Sequence, residues 1–158
     1  KIKNLYNANI EPERIIIMPG GKPTMYYAIS FFGEPGVEII YPDPGFPIYE
    51  SMISFVGAKA VPLPLREQND FSFDHNEFCS LINERTRLII LNSPHNPTGG
   101  VLSKSDVEIV AKVAKENNIM VLTDEVYKNI LGAGIRRLKE QRPCLFRPLA
   151  INNVRQSP

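Results

Sequence analysis

Asp124 and Tyr127 form the first pair of residues in this sequence whose types and spacing could do chemistry. Asp124 follows the apolar run Ile119–Leu122, and Tyr127 lies close to one helical turn further along the chain. A carboxylate at the end of a buried run is costly unless a cation meets it. Two interpretations are open: Asp124 caps a following helix, as Asp commonly does, or it is a fixed anion for a positively charged ligand atom, with Tyr127 beside it.

A glycine turn offers a candidate anion site. Gly20, Gly21 and Lys22 stand between the apolar run Arg14–Met18 and a helical pattern. At such a turn, free N–H groups and the helix dipole point at one spot. The turn is not a Walker A loop, because Lys22 is followed by Pro23, and no G-x-G-x-x-G dinucleotide fingerprint is present. A plain strand-to-helix turn also accounts for these residues.

Phe46 and Asn96 lie in two further loops that are rich in proline. Phe46, in segment 43–49, could stack on a planar ligand or be a core aromatic flanked by turn residues. In loop 92–100, Asn96 precedes a proline, which keeps it extended and suits a fixed hydrogen bond to a ligand. We interpret His95 of the same loop as a solvent or loop histidine rather than a catalyst.

The charge balance argues against several classes of protein. The chain has 158 residues, with 18 Lys and Arg against 17 Asp and Glu, which gives a formal net charge of +1. Nucleic-acid-binding proteins and polybasic membrane-surface proteins need a basic face. Hydrophobic residues make up 43%, too many for a disordered chain, and no apolar run approaches the roughly 18 residues of a spanning helix. We therefore expect a folded protein that binds neither nucleic acid nor membrane.

The cysteines and histidines predict neither a disulfide framework nor a metal site. Cys79 and Cys144 are far apart, and His75 and His95 lack the paired spacing of a zinc site. A reducing compartment is the default for such cysteine usage, so we expect a cytoplasmic protein. The chain opens at Lys1 and soon enters a predicted strand, which suggests a piece of something longer.

Short apolar runs alternate with helical patterns. Strands are predicted at Arg14–Met18, Val37–Tyr41, Lys59–Leu65 (an edge strand, because it holds two prolines), Arg87–Leu91 and Ile119–Leu122. Helices are predicted from Pro23 to the C-cap Gly33, from Ile48 to Val56, after Asp74 with Glu77 in capping-box position, and after Ser103. This alternation predicts a doubly wound α/β fold with a mostly parallel sheet sandwiched by helices. Ligands bind beyond the carboxyl ends of such strands, so we expect the four loops to meet in one crevice.

Together, the four loops resemble the large domain of the class I/II aminotransferases, fold-type-I enzymes that use pyridoxal 5′-phosphate (PLP). The specific signals are the Asn-x-Pro-x-Asn-Pro-Thr-Gly loop and the Asp-Glu-Val-Tyr segment, and the resemblance covers roughly residues 14–131. It implies a partial PLP-binding large domain over residues 1–131, so the fold is incomplete. Residues 132–158, with no clear strand, form a divergent tail.

The resemblance implies a cofactor-binding role for six residues. They are Gly21, Lys22, Phe46, Asn96, Asp124 and Tyr127. Gly21 and Lys22 match the cradle of the cofactor phosphate, and Phe46 matches the aromatic side chain stacked on the pyridine ring. Asn96 and Tyr127 match the partners of its phenolic oxygen. Asp124 matches the carboxylate paired with the pyridinium nitrogen.

The resemblance also implies the reaction, which is amino-group transfer between an amino acid and a 2-oxo acid in a homodimer. The family's Schiff-base lysine lies in a Ser-x-x-Lys segment, which is absent between Leu131 and Pro158, where Lys139 is the sole lysine. No catalytic residue is therefore assigned, and the isolated chain is predicted to be inactive. The alternatives are other fold-type-I chemistry, as in a C–S lyase or a cyclopropane-forming synthase, or a non-catalytic truncated isoform.

Overall fold

The computed structural model describes residues 11–127 and 149–151 of the chain. Its strands are β1 (Glu38–Asp43), β2 (Lys59–Pro64), β3 (Thr86–Asn92), β4 (Met120–Asp124) and β5 (Leu149–Ile151). They form one sheet in the order β2-β1-β3-β4-β5, and every neighbouring pair is parallel. The position of β2 at one edge confirms the prediction made from its two prolines, which cannot donate to a ladder.

In the part of the chain that the structure describes, four α-helices accompany the strands. They are α1 (Gly21–Phe32), α2 (Ile48–Phe55), α3 (His75–Ser80) and α4 (Lys104–Glu116), and short 3₁₀ helices cover Pro12–Arg14 and Glu67–Asn69. Asp74 caps α3, and Ser103 caps α4 in a reciprocal capping box with Asp106, so both caps are confirmed. Glu77, expected to return the bond at α3, accepts one from Arg66 at 2.9 Å instead. No helix in the described ranges is long and apolar enough to cross a membrane.

The helices cover both faces of the sheet. In β3, Leu88 and Ile90 belong to the buried cluster that includes α1 and α2, whereas Ile89 and Leu91 belong to the cluster that includes α3 and α4. Side chains of a strand alternate between its two faces, so a strand that is apolar throughout must be buried on both. The predicted α/β fold, with helices on each side of a parallel sheet, is confirmed.

The connections of β1 and β3 open a crevice at the carboxyl edge of the sheet. The two strands are neighbours, yet the helix that follows β1, α2, packs on one face and the helix that follows β3, α4, packs on the other. The loops after these strands therefore diverge and leave room between them, which is where ligands bind in open α/β sheets. In the next pair, Asn92 of β3 is in register with Asp124 of β4, so these strands end level.

Two of the sequence expectations about secondary structure are wrong. Residues 15–18, predicted as a buried strand, have no regular structure, and Ile16 and Ile17 are 81% and 91% exposed. An apolar β-branched run becomes a strand only where it pairs with a neighbouring strand, and no described strand pairs with residues 15–18. No strand was expected after Leu131, but β5 pairs with β4 there. The rest of tail 132–158, with Lys139 and Cys144, lies outside the described residues.

Candidate functional site

A cavity of about 160 Å³ lies at the carboxyl edge of the sheet. Its lining residues are Gly21, Lys22, Met25, Phe46, Asn92, Asn96, Asp124, Val126 and Tyr127. All six residues predicted from the sequence are among them, so the expected meeting of the four loops is confirmed. The first turn of α1, the loop after β1, the loop after β3 and the turn after β4 each contribute at least one residue.

Asp124 is the buried charge of this cavity. It ends β4, is 5% exposed, and accepts the Tyr49 hydroxyl at Oδ2 (2.8 Å) and the Val126 N–H at Oδ1 (3.2 Å). Burial raises the pKa of Asp124, and the two hydrogen bonds oppose that rise without reversing it. Within residues 11–127 and 149–151, no basic side chain forms an ion pair with this carboxylate. A cationic ligand atom would relieve the cost of burying it.

Tyr49 is a functional candidate that the sequence analysis missed. It lies in the first turn of α2, is fully buried, and donates its hydroxyl across the structure to Asp124. Burial and then the adjacent negative charge of Asp124 raise the pKa of Tyr49 far above its usual range, so the phenol stays a proton donor. Phe46 lies three residues earlier, just before α2, and its carbonyl accepts the Tyr49 N–H at 3.0 Å. This spacing of three residues is the signal that could have found Tyr49.

Asn92, the last residue of β3, is a second missed candidate. Its Nδ2 donates to the backbone carbonyl of Asp124 at 3.0 Å, and its Oδ1 accepts the N–H of Asn96 at 2.8 Å. One buried side chain therefore links the end of β4 to the loop after β3. Asn92 stands at the start of loop 92–100, but no local pattern shows its role, because the register that places it beside Asp124 is a tertiary property.

Phe46 forms an aromatic wall of the cavity. It is half-buried, packs on the core cluster below α1 and α2, and meets the Tyr49 ring edge to face, with centroids 6.0 Å apart and planes at 82°. The two interpretations of Phe46 are thus compatible, since the ring belongs to the core and lines the cavity. The loop before it requires glycine at position 45, because a Cβ there would overlap the carbonyl oxygen of Pro42.

The N-terminus of α1 meets the cavity through its first two residues. Gly21 is buried and Lys22 is exposed, and both line the cavity. The N-cap, Gly20, has φ of +107°, a conformation that favours glycine, and no side chain caps the helix. The first N–H groups of a helix lack partners within it, and together with the dipole they attract anions. The predicted anion site therefore has a suitable geometry.

His95 is buried rather than solvated, so the solvent interpretation is wrong and the loop interpretation is confirmed. It is 5% exposed, and its Nδ1 lies 2.7 Å from the Thr98 hydroxyl. Burial lowers the pKa of His95, and the Pro44 carbonyl opposes this change without reversing it. Among the described residues, no hydrogen bond of good geometry reaches its Nε2. A neutral ring packed between the loop after β1 and the loop after β3 fits these observations.

A second, larger cavity of about 470 Å³ lies beside α3 and the start of α4 and contains none of the six predicted residues. Its buried carboxylate, Asp106, accepts bonds from the Ser72 hydroxyl, the His75 ring and the Ser103 N–H at 2.8–2.9 Å. These partners satisfy the charge and hold the capping box, so Asp106 has a structural role. In the described part of the chain, no group of three or more His, Cys, Asp or Glu residues could hold a metal ion.

Comparisons with known proteins agree with this geometry. The family model for aminotransferase class I and II matches residues 1–144, which extends past both ends of the expected range 14–131. The chain is 40% identical over 129 residues to an aspartate aminotransferase of Pyrococcus horikoshii, covering 82% of this chain and 33% of that protein. It is 34% identical over 138 residues to an aspartate aminotransferase of Sulfolobus acidocaldarius, covering 86% and 34%.

A solved structure gives the same result. The aromatic aminotransferase from Pyrococcus horikoshii superposes with a TM-score of 0.83 at 28% identity, covering 96% of this chain and 41% of that one. The chain thus spans about a third of the length of the two aspartate aminotransferases that it matches. The family match includes more than half of the chain and all four loops of the cavity. This chain therefore belongs to the aminotransferase class I and II family.

Proposed function

We propose that this chain is the cofactor-binding part of a PLP-dependent aminotransferase, which moves an amino group between an amino acid and a 2-oxo acid. The observation that carries the proposal is the buried Asp124 carboxylate, which has no basic partner among the described residues and faces a cavity. Family membership supports the reaction class, because this family generally uses PLP. The same membership supports a homodimer.

The chemistry of the cavity residues fits the charges of PLP at three points. The uncapped N-terminus of α1, with Gly21 and Lys22, suits the phosphate dianion. Phe46 offers an aromatic face for the ring. Asp124, which pairs with no cation among the described residues, suits a protonated ring nitrogen, and a carboxylate paired in this way keeps that nitrogen protonated. When bound, PLP supplies an electron sink for the loss of a substrate α-proton.

The two remaining predicted residues orient the ligand. We assign Asn96 and Tyr127 to the phenolic oxygen, since both line the cavity and carry groups able to bond an oxygen. The backbone bonds between His95 and Gly100 and between Gly99 and His95 close the loop that carries Asn96. A loop held in this way places the amide with little entropy left to lose on binding.

The experiment is a titration of PLP into the 158-residue chain, followed by absorbance and equilibrium dialysis. Asp124→Asn removes the charge and keeps the shape, and Asp70→Asn makes the same change at an exposed site outside the cavity. A hydrogen bond to a charged group contributes about 1.5–3 kcal/mol, so Asp124→Asn is expected to weaken PLP binding about 10- to 100-fold. Asp70→Asn should bind like the unaltered chain.

Two outcomes would contradict the proposal. One is an unaltered chain that does not bind PLP, and the other is equal affinity in Asp124→Asn and the unaltered chain. Turnover is a separate readout. We infer that the 158-residue chain binds PLP without transamination, because residues 131–158 contain no Ser-x-x-Lys segment. Formation of a 2-oxo acid from an amino acid by this chain would show that another residue takes the role of that lysine.

A further inference from the structure

The Tyr49 hydroxyl is the one side-chain donor that bonds the Asp124 carboxylate among the described residues. The other donor is the Val126 backbone N–H, which the chain supplies whatever the side chains are. Tyr49 comes from α2, and Asp124 comes from the end of β4, so the contact joins segments 75 residues apart. Tyr49 does not line the cavity, which makes it a supporting residue rather than a ligand-contacting one.

Tyr49 also contacts the aromatic wall. Its ring meets Phe46 edge to face at 6.0 Å, and its backbone N–H donates to the Phe46 carbonyl at 3.0 Å. A single buried side chain thus touches the residue placed over a cofactor ring and the residue placed at that ring's nitrogen. Being fully buried within the core cluster, Tyr49 has little freedom to move either contact.

We propose that Tyr49 is a positioning residue, whose hydroxyl holds the Asp124 carboxylate and whose ring supports Phe46. This proposal rests on the proposed function. The direction of its effect follows from chemistry. A donor to a carboxylate stabilises the ionised form, whereas burial favours the neutral form. Tyr49 therefore favours the ionised form of the buried Asp124 and fixes the orientation of its carboxylate, so that it can pair with a ring nitrogen.

Other titratable groups near Asp124 do not duplicate this role. Lys22, from α1, and Tyr127, from the turn after β4, line the same cavity, and Glu125 follows Asp124 in the chain. Neither Lys22 nor Tyr127 forms a recorded hydrogen bond or ion pair with Asp124 within the described ranges.

The first test is made without cofactor. The titration of Asp124 is followed by carboxyl ¹³C NMR in the unaltered chain, in Tyr49→Phe and in Tyr41→Phe, with Asp124→Asn to assign the signal. Tyr41 is a matched control, because it is also a buried phenol in the same cluster but has no recorded hydrogen bond to Asp124. The midpoint of Asp124 should rise in Tyr49→Phe and stay unchanged in Tyr41→Phe. An unchanged midpoint in folded Tyr49→Phe overturns the proposal.

The second test uses PLP and 1-deazapyridoxal 5′-phosphate, in which CH replaces the ring nitrogen. The unaltered chain and Tyr41→Phe should bind PLP more tightly than the deaza compound. In Tyr49→Phe, the ratio of the two dissociation constants should be about tenfold smaller. A ratio in Tyr49→Phe equal to that of the unaltered chain would overturn the positioning role. If the unaltered chain binds neither compound, the proposed function fails, but the titration of Asp124 still decides the role of Tyr49.

A measurement on the unaltered chain covers the case in which Tyr49→Phe does not fold. With tyrosine labelled at the ¹³Cζ atom, the Tyr49 resonance should change as Asp124 titrates, because the hydroxyl changes its acceptor from a carboxylate to a carboxylic acid. The Tyr41 resonance should not follow the same midpoint. A Tyr49 resonance that is constant through the titration of Asp124 would overturn the proposed contact.

Discussion

Replacing Asn92 by alanine is expected to lower the stability of the fold and the affinity for PLP together. The side chain of Asn92 is 4% exposed and joins two segments of the cavity. It donates to the carbonyl of Asp124 at 3.0 Å and accepts the N–H of Asn96 at 2.8 Å. Alanine removes both bonds, so Asn96 loses its side-chain link to the end of β4 and its amide is held less firmly at the cavity.

The size of the effect follows from what each partner retains. The Asp124 carbonyl still accepts the N–H of Ser93 at 3.2 Å, so losing the Asn92 donor costs only the net free energy of one hydrogen bond, about 1 kcal/mol. The N–H of Asn96 has no other recorded partner in residues 11–127, and a donor that is left unpaired and shielded from water costs about 1–3 kcal/mol. Asn96 is half-buried, so water recovers part of that cost. We expect a loss of about 2–3 kcal/mol in the free energy of unfolding.

The assay is urea unfolding followed by circular dichroism, with PLP affinity measured separately in the absence of urea. Asn117→Ala is the control, because it removes one bond, from Nδ2 to the Val113 carbonyl at 2.8 Å, at the exposed end of α4. It should cost about 1 kcal/mol or less and leave PLP affinity unchanged. A cost for Asn92→Ala no larger than this control, or unchanged PLP affinity, would refute the linking role of Asn92.

Two further predictions concern Asp106 and Gly45. Burial raises the pKa of Asp106, but its hydrogen bonds outweigh burial and lower it, so Asp106→Asn should cost about 1–3 kcal/mol at neutral pH. Because the pKa of Asp106 is lower in the folded than in the unfolded chain, its charge stabilises the fold fully above the unfolded pKa, and this stability is lost as pH falls through the folded pKa. The free energies of unfolding of Asp106→Asn and the unaltered chain should therefore converge in acid. A difference that stays constant with pH would contradict this reasoning. Gly45→Ala should weaken PLP binding, because its Cβ overlaps the Pro42 carbonyl and displaces Phe46. Unchanged PLP affinity in the folded variant would show that the loop adapts.

Local patterns in the sequence predicted most of the elements. Strand β3 shows why, because residues apolar on both faces can be satisfied only inside a parallel sheet covered by helices. The same reasoning placed loops rich in glycine and proline at strand ends, and parallel strands bring those ends to one edge. The convergence of Phe46, Asn96 and Asp124 was predictable for that reason, without knowledge of any distance.

Run 14–18 shows where local patterns fail. Its β-branched residues have the composition of a strand, yet Ile16 and Ile17 are exposed and no described strand pairs with them. Strand β5 is the converse, since Leu149–Ile151 is too short to produce a pattern but pairs with β4. A segment forms a strand only when a neighbouring strand is there to pair with it, and a short stretch of sequence does not show whether such a partner exists.

The sequence by itself determined which residue types stand at the ends of the strands, and hence a carboxylate, an amide, an aromatic ring and a glycine turn in one crevice. Only the tertiary structure decided how these groups are held. Tyr49 reaches Asp124 across 75 residues, and Asn92 meets it through the register of β3 and β4. The physical reason is that hydrogen bonds between distant segments depend on strand order and helix packing, which no local stretch of sequence contains.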